Sequence, residues 1–365
     1  MASDVLRADV VAPKGYYTRR PARIVGIEHI VQGREAFMQQ MQATTNHYDE
    51  ILRLVLNDAI VAGQGSVVSA SGKLLRESAV EFLNHGRTPD QFQTAGDGQF
   101  TLSTAPEQHI STPSLLVKRP WWRNYGHWLV DGAALLATLS AITLPTDWQV
   151  VVGLQENPAM RKVVRDTVAL LAPNVPIVEQ PDNAVWTFSL LHYVTPVHVP
   201  PLFKLPLARN NLRALLIRQF HPAHAPRRIY VARSAPIGRR IVNESDLIEI
   251  CRRRGFEVVF PEKLTVCEQA SLFRNSEIVV GVKGAALTNT IFSPNSLGMI
   301  VLSPGTFTDP FFWDLAGQAN IDYTEIFGQV TMESTRPSEQ NFWIDPQIFS
   351  TEMDALVERL PLVTM

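Results

Sequence analysis

The stretch Glu277–Thr290, EIVVGVKGAALTNT, decides the fold that we predict for this chain. Its residues 278–282 are apolar and mostly β-branched, which predicts a short buried strand. The small residues 284–286 follow, so the backbone can be approached closely where this strand gives way to a helix. A helix N-terminus attracts anions, and Lys283 adds a full positive charge at the same place. The stretch therefore predicts a phosphate site, although a tightly packed turn with an exposed Lys fits the same residues.

Strand and helix patterns alternate at short intervals on both sides of this stretch. The predicted segments are a strand at 228–233, a helix from Asn243 to about Arg254, a strand at 256–260, a helix from Thr265 to about Asn275 and a strand at 298–303. Such alternation predicts a parallel sheet with right-handed crossovers, whose ligands bind outside the carboxyl ends of the strands. Lys283 and Arg233 lie at such ends. Arg239 and Arg240 follow in the next loop, so these cations can meet one anion from different sides.

The N-terminal half also alternates strand and helix. Strands are predicted at 115–117, 149–154, 176–179 and 185–190 and an amphipathic helix at 159–171, whereas residues 84–113 are predicted to be loops. These patterns favour a wound α/β domain. A stiff linker is predicted where four prolines crowd together, at Pro196, Pro200, Pro201 and Pro206. We therefore expect two domains, at 1–204 and 205–365.

A dense polar and aromatic segment at 121–131, WWRNYGHWLVD, begins another predicted helix. Asn124 is a suitable N-cap for a helix over 125–139. His127 and Asp131 are four residues apart and share a face of that helix, so they can hydrogen-bond one another. An imidazole held by a carboxylate is what a general base needs, since the acid fixes the tautomer and stabilises the charged form. A capping Asp-His pair without chemistry fits the same spacing.

The composition excludes several classes of protein. The 365 residues carry a net charge of −2 with no polybasic tract, which argues against nucleic-acid binding. The two cysteines, Cys251 and Cys267, fit neither a disulfide framework nor a metal-binding spacing, so a reducing compartment is expected. No secretory signal is recognisable, and the longest uncharged stretches contain prolines, so no spanning helix is predicted. We therefore expect a cytoplasmic protein.

Six short motifs in order resemble those of glycosyltransferase family 61. They are Asn124–Asp131, Arg228–Arg233, Asn243-Glu244, Gly255–Glu257, Glu268-Gln269 with Leu272-Phe273, and Gly284–Asn289. The resemblance implies α/β GT-B architecture, with two Rossmann-like domains facing across a cleft. It also implies inverting transfer of a sugar from a nucleotide-sugar, commonly a UDP-sugar, to a hydroxyl group of a glycan or lipid-linked glycan. The expected setting is bacterial capsule, exopolysaccharide or lipopolysaccharide synthesis, with peripheral contact to a membrane-bound assembly complex.

For such a transfer we assign hypothetical roles to individual residues. These are a base formed by Asp131 with His127; a donor diphosphate site of Lys283, Arg233, Arg240, Gly284, Ala285 and Ala286; donor nucleotide or sugar contacts from Glu268, Gln269, Thr288 and Asn289; and acceptor contacts from Asn124 and Trp128. Two of these residues also have simpler explanations. The position of Glu268 in a capping box accounts for it without a ligand, and aromatic residues such as Trp128 are commonly core residues.

One residue departs from the family pattern, because His usually stands where this chain has Lys283. A free His is mostly neutral at pH 7, whereas Lys is charged, so Lys283 would hold a diphosphate as a permanent cation. The sequence contains no Asp-x-Asp motif, so we expect neither a metal nor another cofactor. Two other functions remain open: a sugar-nucleotide epimerase, and a non-catalytic member that binds glycan or organises a synthase complex.

Overall fold

The computed structural model describes residues 5–95, 99–200, 203–218, 226–234, 238–332, 334 and 336–360. Its strands are β1 Val5–Ala12, β2 Gly15–Thr18, β3 Arg23–Val25, β4 Thr45–Tyr48, β5 Ile51–Ala62, β6 Ser66–Val68, β7 Phe92–Ala95, β8 Gln99–Leu102, β9 Gln108–Ile110, β10 Ser114–Leu116, β11 Gln149–Gly153, β12 Ile177–Gln180, β13 Val185–Val194, β14 His198–Val199, β15 Phe203–Lys204, β16 Arg228–Val231, β17 Glu257–Val259, β18 Ile278–Val282, β19 Gly298–Pro304, β20 Asp322–Met332 and β21 Asn341–Trp343.

The helices connect these strands. The α-helices are α1 Arg34–Gln42, α2 Val80–Asn84, α3 Tyr125–His127, α4 Ala134–Leu136, α5 Pro158–Leu171, α6 Pro206–Ile217, α7 Glu244–Arg252, α8 Val266–Asn275, α9 Phe311–Gly317 and α10 Pro346–Arg359. The 3-10 helices are Ile27–His29, Arg76–Ser78, Leu139–Ala141, Pro261–Lys263, Ala285–Phe292 and Pro337–Glu339, and a π-helix covers Trp128–Ala133. The predicted mixed α/β class is confirmed.

The chain divides into two compact units, each made of two pieces of sequence. The first unit comprises Met1–Gly15 and His47–Leu215, and the second comprises Tyr16–Asn46 and Leu216–Met365. The domain limits 1–204 and 205–365 stay a prediction. Pro201 of the predicted linker lies outside the described residues.

A mixed sheet forms the centre of the first unit. Its strand order is β1-β5-β13-β10-β11-β12, with β6 added to β5 and β9 to β13. Strands β10 to β13 pair in parallel, whereas β5 is antiparallel to β1 and β13. Its core includes Leu56, Val151, Phe188 and Tyr193. The strands predicted at 115–117, 149–154, 176–179 and 185–190 and the helix predicted at 159–171 are confirmed, with small shifts at their ends.

The prediction that residues 84–113 are loops is wrong in part. Strands β7 and β8 pair as an antiparallel hairpin, and β9 adds to the main sheet beside β13. Residues 96–98 lie outside the described residues. These strands have only three or four residues each, which is too short for an alternating pattern to stand out from Gly and Pro neighbours.

A mostly parallel sheet forms the centre of the second unit. Its order is β17-β16-β18-β19-β20-β21, with β3 added to β20. The pairs from β17 to β20 are parallel, which confirms the predicted parallel sheet, and only the pairing of β21 is antiparallel within the described part of this sheet. Leu247, Phe349, Met353 and Leu356 of α7 and α10 pack into its core. Strand β18 is the predicted strand 278–282, and it ends just before Lys283.

Three predicted helices differ from those observed. The helix after β18 is a 3-10 helix, because Asn289 and Thr290 hydrogen-bond local carbonyls and so compete with α-helical pairing. The helix predicted to reach Leu139 ends at Leu136 and contains the π-helix. The helix after Asn243 begins without a side-chain cap, because Oδ1 of Asn243 instead accepts from the N–H of Ile344, to whose carbonyl Nδ2 of Asn243 donates.

Candidate active site

The first candidate site lies on the helical segment that follows Asn124. The Asn124 side chain accepts hydrogen bonds from the N–H groups of Gly126 (2.8 Å) and His127 (3.4 Å), so the predicted N-cap is confirmed. The segment then continues as the π-helix Trp128–Ala133, a conformation that is frequent at functional sites. Nδ1 of His127 lies 3.1 Å from Oδ2 of Asp131. The helix therefore brings the two residues into hydrogen-bonding contact.

His198, which sequence reasoning missed, completes this group. It lies on β14, 67 residues after Asp131, and its Nδ1 is 2.9 Å from Oδ1 of Asp131. The ring centroids of His127 and His198 are 6.0 Å apart. Each oxygen of the carboxylate thus has its own imidazole partner. We call these three residues the His-Asp-His cluster. The signal in the sequence was a polar residue within the apolar, proline-rich stretch 194–201, VTPVHVPP.

The three members of the cluster differ in exposure and charge. The side chain of His127 is 25% exposed, against 6% for Asp131 and 1% for His198. Burial opposes the charge of Asp131, but the charge interaction with His198 and hydrogen bonds from both imidazoles outweigh it and hold the pKa of Asp131 below its usual value. Burial lowers the pKa of His198 despite the opposing pull of Asp131. At neutral pH the cluster therefore combines an ionised carboxylate with a neutral His198.

A small cavity of about 10 Å³ lies beside the cluster, within the first unit. Asp131 and His198 line it together with Glu81, Arg119 and Tyr193. This volume suits roughly one water molecule and is far too small for a sugar. Burial, reinforced by the charge of Asp131, raises the pKa of Glu81 to about 9, so this carboxyl group is protonated at pH 7. Sequence reasoning missed Glu81, because one acid in the run AVEFL has the pattern of an exposed helix position.

The cluster has the chemistry of a general base. When Nδ1 of His127 donates its hydrogen to Asp131, the lone pair is on Nε2, and His127 is the most exposed member. An ionised Asp131 then stabilises the imidazolium that forms on proton uptake. The three side chains also place ligand atoms within 4.8 Å of one another, a spacing that a divalent cation can bridge. The expectation of no metal stays a prediction.

The second candidate site surrounds Lys283 in the second unit. Nζ of Lys283 donates to Oε1 of Glu325 (2.8 Å) and to the carbonyl of Phe307 (3.2 Å), and neither charged side chain is exposed. Ser303 and Tyr323 donate to the two carboxylate oxygens of Glu325, at 2.7 Å each. In this conformation the ammonium of Lys283 neutralises a buried carboxylate, so contact with a diphosphate would first require that ion pair to break. Sequence reasoning missed Glu325.

Three arginines follow β16, and they lie in different environments. Arg239 donates from Nε to the carbonyl of Ser338 (2.5 Å) and from Nη1 to the carbonyl of Lys283. Burial, and then repulsion by Arg233, lower the pKa of Arg239 to about 10. Arg233 is half-buried and Arg240 is exposed. Two cationic side chains therefore remain within reach of solvent near the turn that follows β18.

Three of the residues predicted to contact the donor already make contacts within the protein. Glu268 closes the predicted capping box, since its carboxylate accepts from the N–H of Thr265 (2.7 Å). Nδ2 of Asn289 donates to Oε1 of Gln269 (2.7 Å), and Gln269 donates to the carbonyl of Leu264 (3.1 Å). These contacts connect α8 to the 3-10 helix that follows β18.

The remaining predicted residues are either small or buried. Gly284, Ala285 and Ala286 are half-buried, and Thr288 is completely buried. Trp128 is 1% exposed and packs beneath Gly132, whose position has no room for a side chain: a Cβ there would lie 2.5 Å from the Trp128 ring. The indole face of Trp128 is therefore unavailable for stacking on a sugar in this conformation.

The comparison with known protein families finds one match, over the middle of the chain. Residues 125–300 match the family model described as glycosyltransferase 61. The matched segment begins at the helix that carries His127 and Asp131, and it ends in β19. This match supports a glycosyltransferase as the class of protein. The resemblance to glycosyltransferase family 61 found in the motifs is confirmed over residues 125–300.

Two further findings bear on the nature of the chain. No curated protein matches it. Among the residues that the structure describes, no helix is both long enough and apolar enough to cross a membrane.

Proposed function

We propose that this chain is an inverting glycosyltransferase of GT-B architecture, with the two units as its two domains. It would move a sugar from a nucleotide-sugar, UDP-linked, to a hydroxyl group of a glycan or lipid-linked glycan. The family match supports sugar transfer. The observation that carries the inverting mechanism is the His-Asp-His cluster, in which a buried carboxylate orients the partly exposed His127.

His127 is the proton acceptor in the proposed reaction. The acceptor oxygen attacks the anomeric carbon while its proton passes to Nε2 of His127. The bond from that carbon to the nucleoside diphosphate breaks, and its electron pair leaves on the phosphate oxygen. Asp131 stabilises the imidazolium of His127, so His127 takes up the proton more readily as the new bond forms. One displacement at one carbon inverts its configuration.

The donor diphosphate would be held in the second unit. Arg233 and Arg240 supply charge to the leaving group, and the N–H groups of residues 284–286 supply hydrogen bonds. Lys283 acts indirectly in this proposal, because its charge balances Glu325 beneath the same turn. Arg239 ties the backbone of Lys283 to that of Ser338, which fixes the turn. The capping contacts of Glu268 and Asn124, and the burial of Trp128, Gln269, Thr288 and Asn289, favour supporting roles for those residues.

We also propose a setting and a metal requirement. The two buried cysteines, which form no disulfide with one another, and the small net charge suit a cytoplasmic enzyme that acts on capsule, exopolysaccharide or lipopolysaccharide precursors. Cationic side chains can replace a metal ion at a departing diphosphate, so the proposed transfer needs no metal.

The test is a donor screen followed by product analysis. A nucleotide-sugar that binds the native chain raises its melting temperature by mass action, which identifies the donor. Transfer to glycan acceptors is then followed by mass spectrometry, and the anomeric configuration of the product is read by NMR. Asp131→Asn should slow transfer by about 10²–10⁴-fold, whereas His109→Gln, at an exposed histidine bonded to Ser189, should not. An altered sugar-nucleotide formed without acceptor would instead indicate an epimerase, and absence of nucleotide affinity would indicate a non-catalytic member.

A further inference from the structure

We propose that His198 is a positioning residue for the base, His127. The Nδ1–H of His198 holds one oxygen of the Asp131 carboxylate, so that the other oxygen of Asp131 fixes His127 in the proton-accepting tautomer. The catalytic consequence rests on the proposed function. The structural content does not, because it concerns only the contacts within the His-Asp-His cluster.

The geometry divides the carboxylate between two imidazoles. Oδ1 of Asp131 faces Nδ1 of His198 at 2.9 Å, and Oδ2 faces Nδ1 of His127 at 3.1 Å. The carboxylate is 6% exposed, so water cannot easily replace either donor. Loss of the His198 donor would leave Oδ1 as a buried anionic oxygen without that hydrogen bond, a costly state. Asp131 would then rotate or take up a proton, and either change loosens its hold on His127.

The surroundings of His198 favour a neutral donor. Burial is the main cause of the lowered pKa of His198, and the charge of Lys204 on β15 lowers it further. Glu81 lines the same cavity as Asp131 and His198, and its pKa is raised to about 9 by burial and by Asp131, against the opposing charge of Arg119. Near pH 7, neutral His198 therefore donates to one oxygen of Asp131. Of the two acids Asp131 and Glu81, only Asp131 is then ionised.

A neutral donor has a chemical advantage over a cationic one at this position. A Lys or Arg beside Oδ1 would fix Asp131 equally well, but its positive charge would offset the negative charge that stabilises the imidazolium of His127. The hydrogen bond from His198 orients the carboxylate and leaves that charge available. The position therefore calls for a donor that does not carry charge at working pH.

Two variants test the kinetic part of the proposal. His198→Leu removes the donor at similar volume, whereas His198→Asn keeps an N–H in the place of Nδ1–H. We expect His198→Leu to lower kcat by up to about 10²-fold, as misplacement of a catalytic group can, with little change in KM for the donor. The acid limb of its pH–rate profile should move to lower pH, because a carboxylate that has rotated or taken up a proton stabilises protonated His127 less. His198→Asn should restore both values. Equal losses in both variants, an unmoved limb or a limb at higher pH would overturn the assignment.

A second measurement does not need activity. The sequence has nine histidines, so selective ¹⁵N-labelling gives a small set of imidazole signals in which tautomers can be distinguished. His127 should carry its proton on Nδ1 in the native chain and in His198→Asn, and should be a mixture of tautomers in His198→Leu. If this holds while no transfer is found, the proposed function fails and the positioning role stands. If His127 keeps one tautomer in His198→Leu, or if added Co²⁺ produces d–d absorption and removes both Nδ1–H signals, the positioning role is overturned.

Discussion

The ammonium of Lys283 lies 2.8 Å from Oε1 of Glu325, and the side chains of both residues are completely buried. The carboxylate is further satisfied by Ser303 and Tyr323, so every ionised or polar group in this small network has a partner. A His in place of Lys283 is neutral when unperturbed at pH 7, and it would leave Glu325 without its counter-charge. Lys283 is therefore coupled to an acid on β20.

The first prediction concerns this ion pair. Lys283→Met leaves the Glu325 charge buried and unpaired, so it should lower the free energy of unfolding by about 3–5 kcal/mol in urea denaturation. Adding Glu325→Gln should recover most of the loss, because Gln still accepts hydrogen bonds but carries no charge. Lys162→Met, which breaks the exposed pair with Asp166, is the matched control and should cost at most about 1 kcal/mol. A small effect of Lys283→Met would show that Glu325 becomes protonated at little cost.

The second unit also shows what sequence patterns can and cannot predict. The apolar run 278–282 and the placement of Lys283 at the end of a strand follow from local periodicity, and both are confirmed. The partner of Lys283 does not follow from it, because Glu325 lies 42 residues further along the chain on β20, a strand that was not predicted. The hydrophobic periodicity of a segment predicts whether it is a strand or a helix. An ion pair between two strands depends instead on which strands become neighbours in the sheet.

The His-Asp-His cluster gives the same lesson in the first unit. The i,i+4 spacing of His127 and Asp131 was sufficient to predict their contact on one helix face. His198 and Glu81 reach the same place from β14 and α2, through the fold of the unit, so no local spacing connects them to Asp131. The capping residues Asn124 and Thr265 were predictable for the opposite reason, since a cap binds backbone within three residues.

The second prediction concerns the base. Asp131→Asn removes the charge that stabilises the imidazolium of His127 and disturbs its tautomer, so kcat should fall by about 10²–10⁴-fold. Donor affinity, measured by calorimetry with the nucleoside diphosphate, should change little because Asp131 lies outside the proposed donor site. A variant that keeps more than half of native kcat would remove the cluster from the mechanism.

The third prediction concerns the leaving group. Arg233→Gln and Arg240→Gln should each weaken binding of the nucleoside diphosphate by about ten- to hundredfold, since hydrogen bonds to charged groups contribute about 1.5–3 kcal/mol. Arg253→Gln, at an exposed residue on the C-terminal side of α7 paired with Glu249, is the control and should bind normally. Titration calorimetry provides the comparison. Equal affinities in all three variants would place the diphosphate elsewhere.

The fourth prediction follows from the raised pKa of Glu81. Its folded-state pKa is about 9, against an ordinary value of 4.5 for Glu, so the folded chain binds this proton more tightly than the unfolded chain. The stabilising contribution is complete below about pH 4.5 and is lost as pH rises towards 9, at up to about 1.4 kcal/mol per pH unit. Glu81→Gln should therefore gain stability over the native chain between pH 5 and pH 8.5 in urea denaturation. Glu358→Gln, at an exposed position, is the control variant. If the stabilities of Glu81→Gln and Glu358→Gln change with pH in the same way, Glu81 is ionised in the folded chain.

The last prediction concerns metal. Transfer should continue unchanged in EDTA, because Arg233 and Arg240 can supply the charge that a divalent ion would otherwise bring to the diphosphate. The His-Asp-His cluster makes this a demanding test, since its ligand atoms lie within 4.8 Å of one another and could hold a cation. The control is Asp131→Asn, which removes one of the possible metal ligands. The metal content of this variant and of the native chain is compared by mass spectrometry. The contrary outcome has three parts: chelation stops turnover, manganese restores it, and the native chain but not Asp131→Asn retains metal. In that case the His-Asp-His cluster is a metal centre, and another residue is the base.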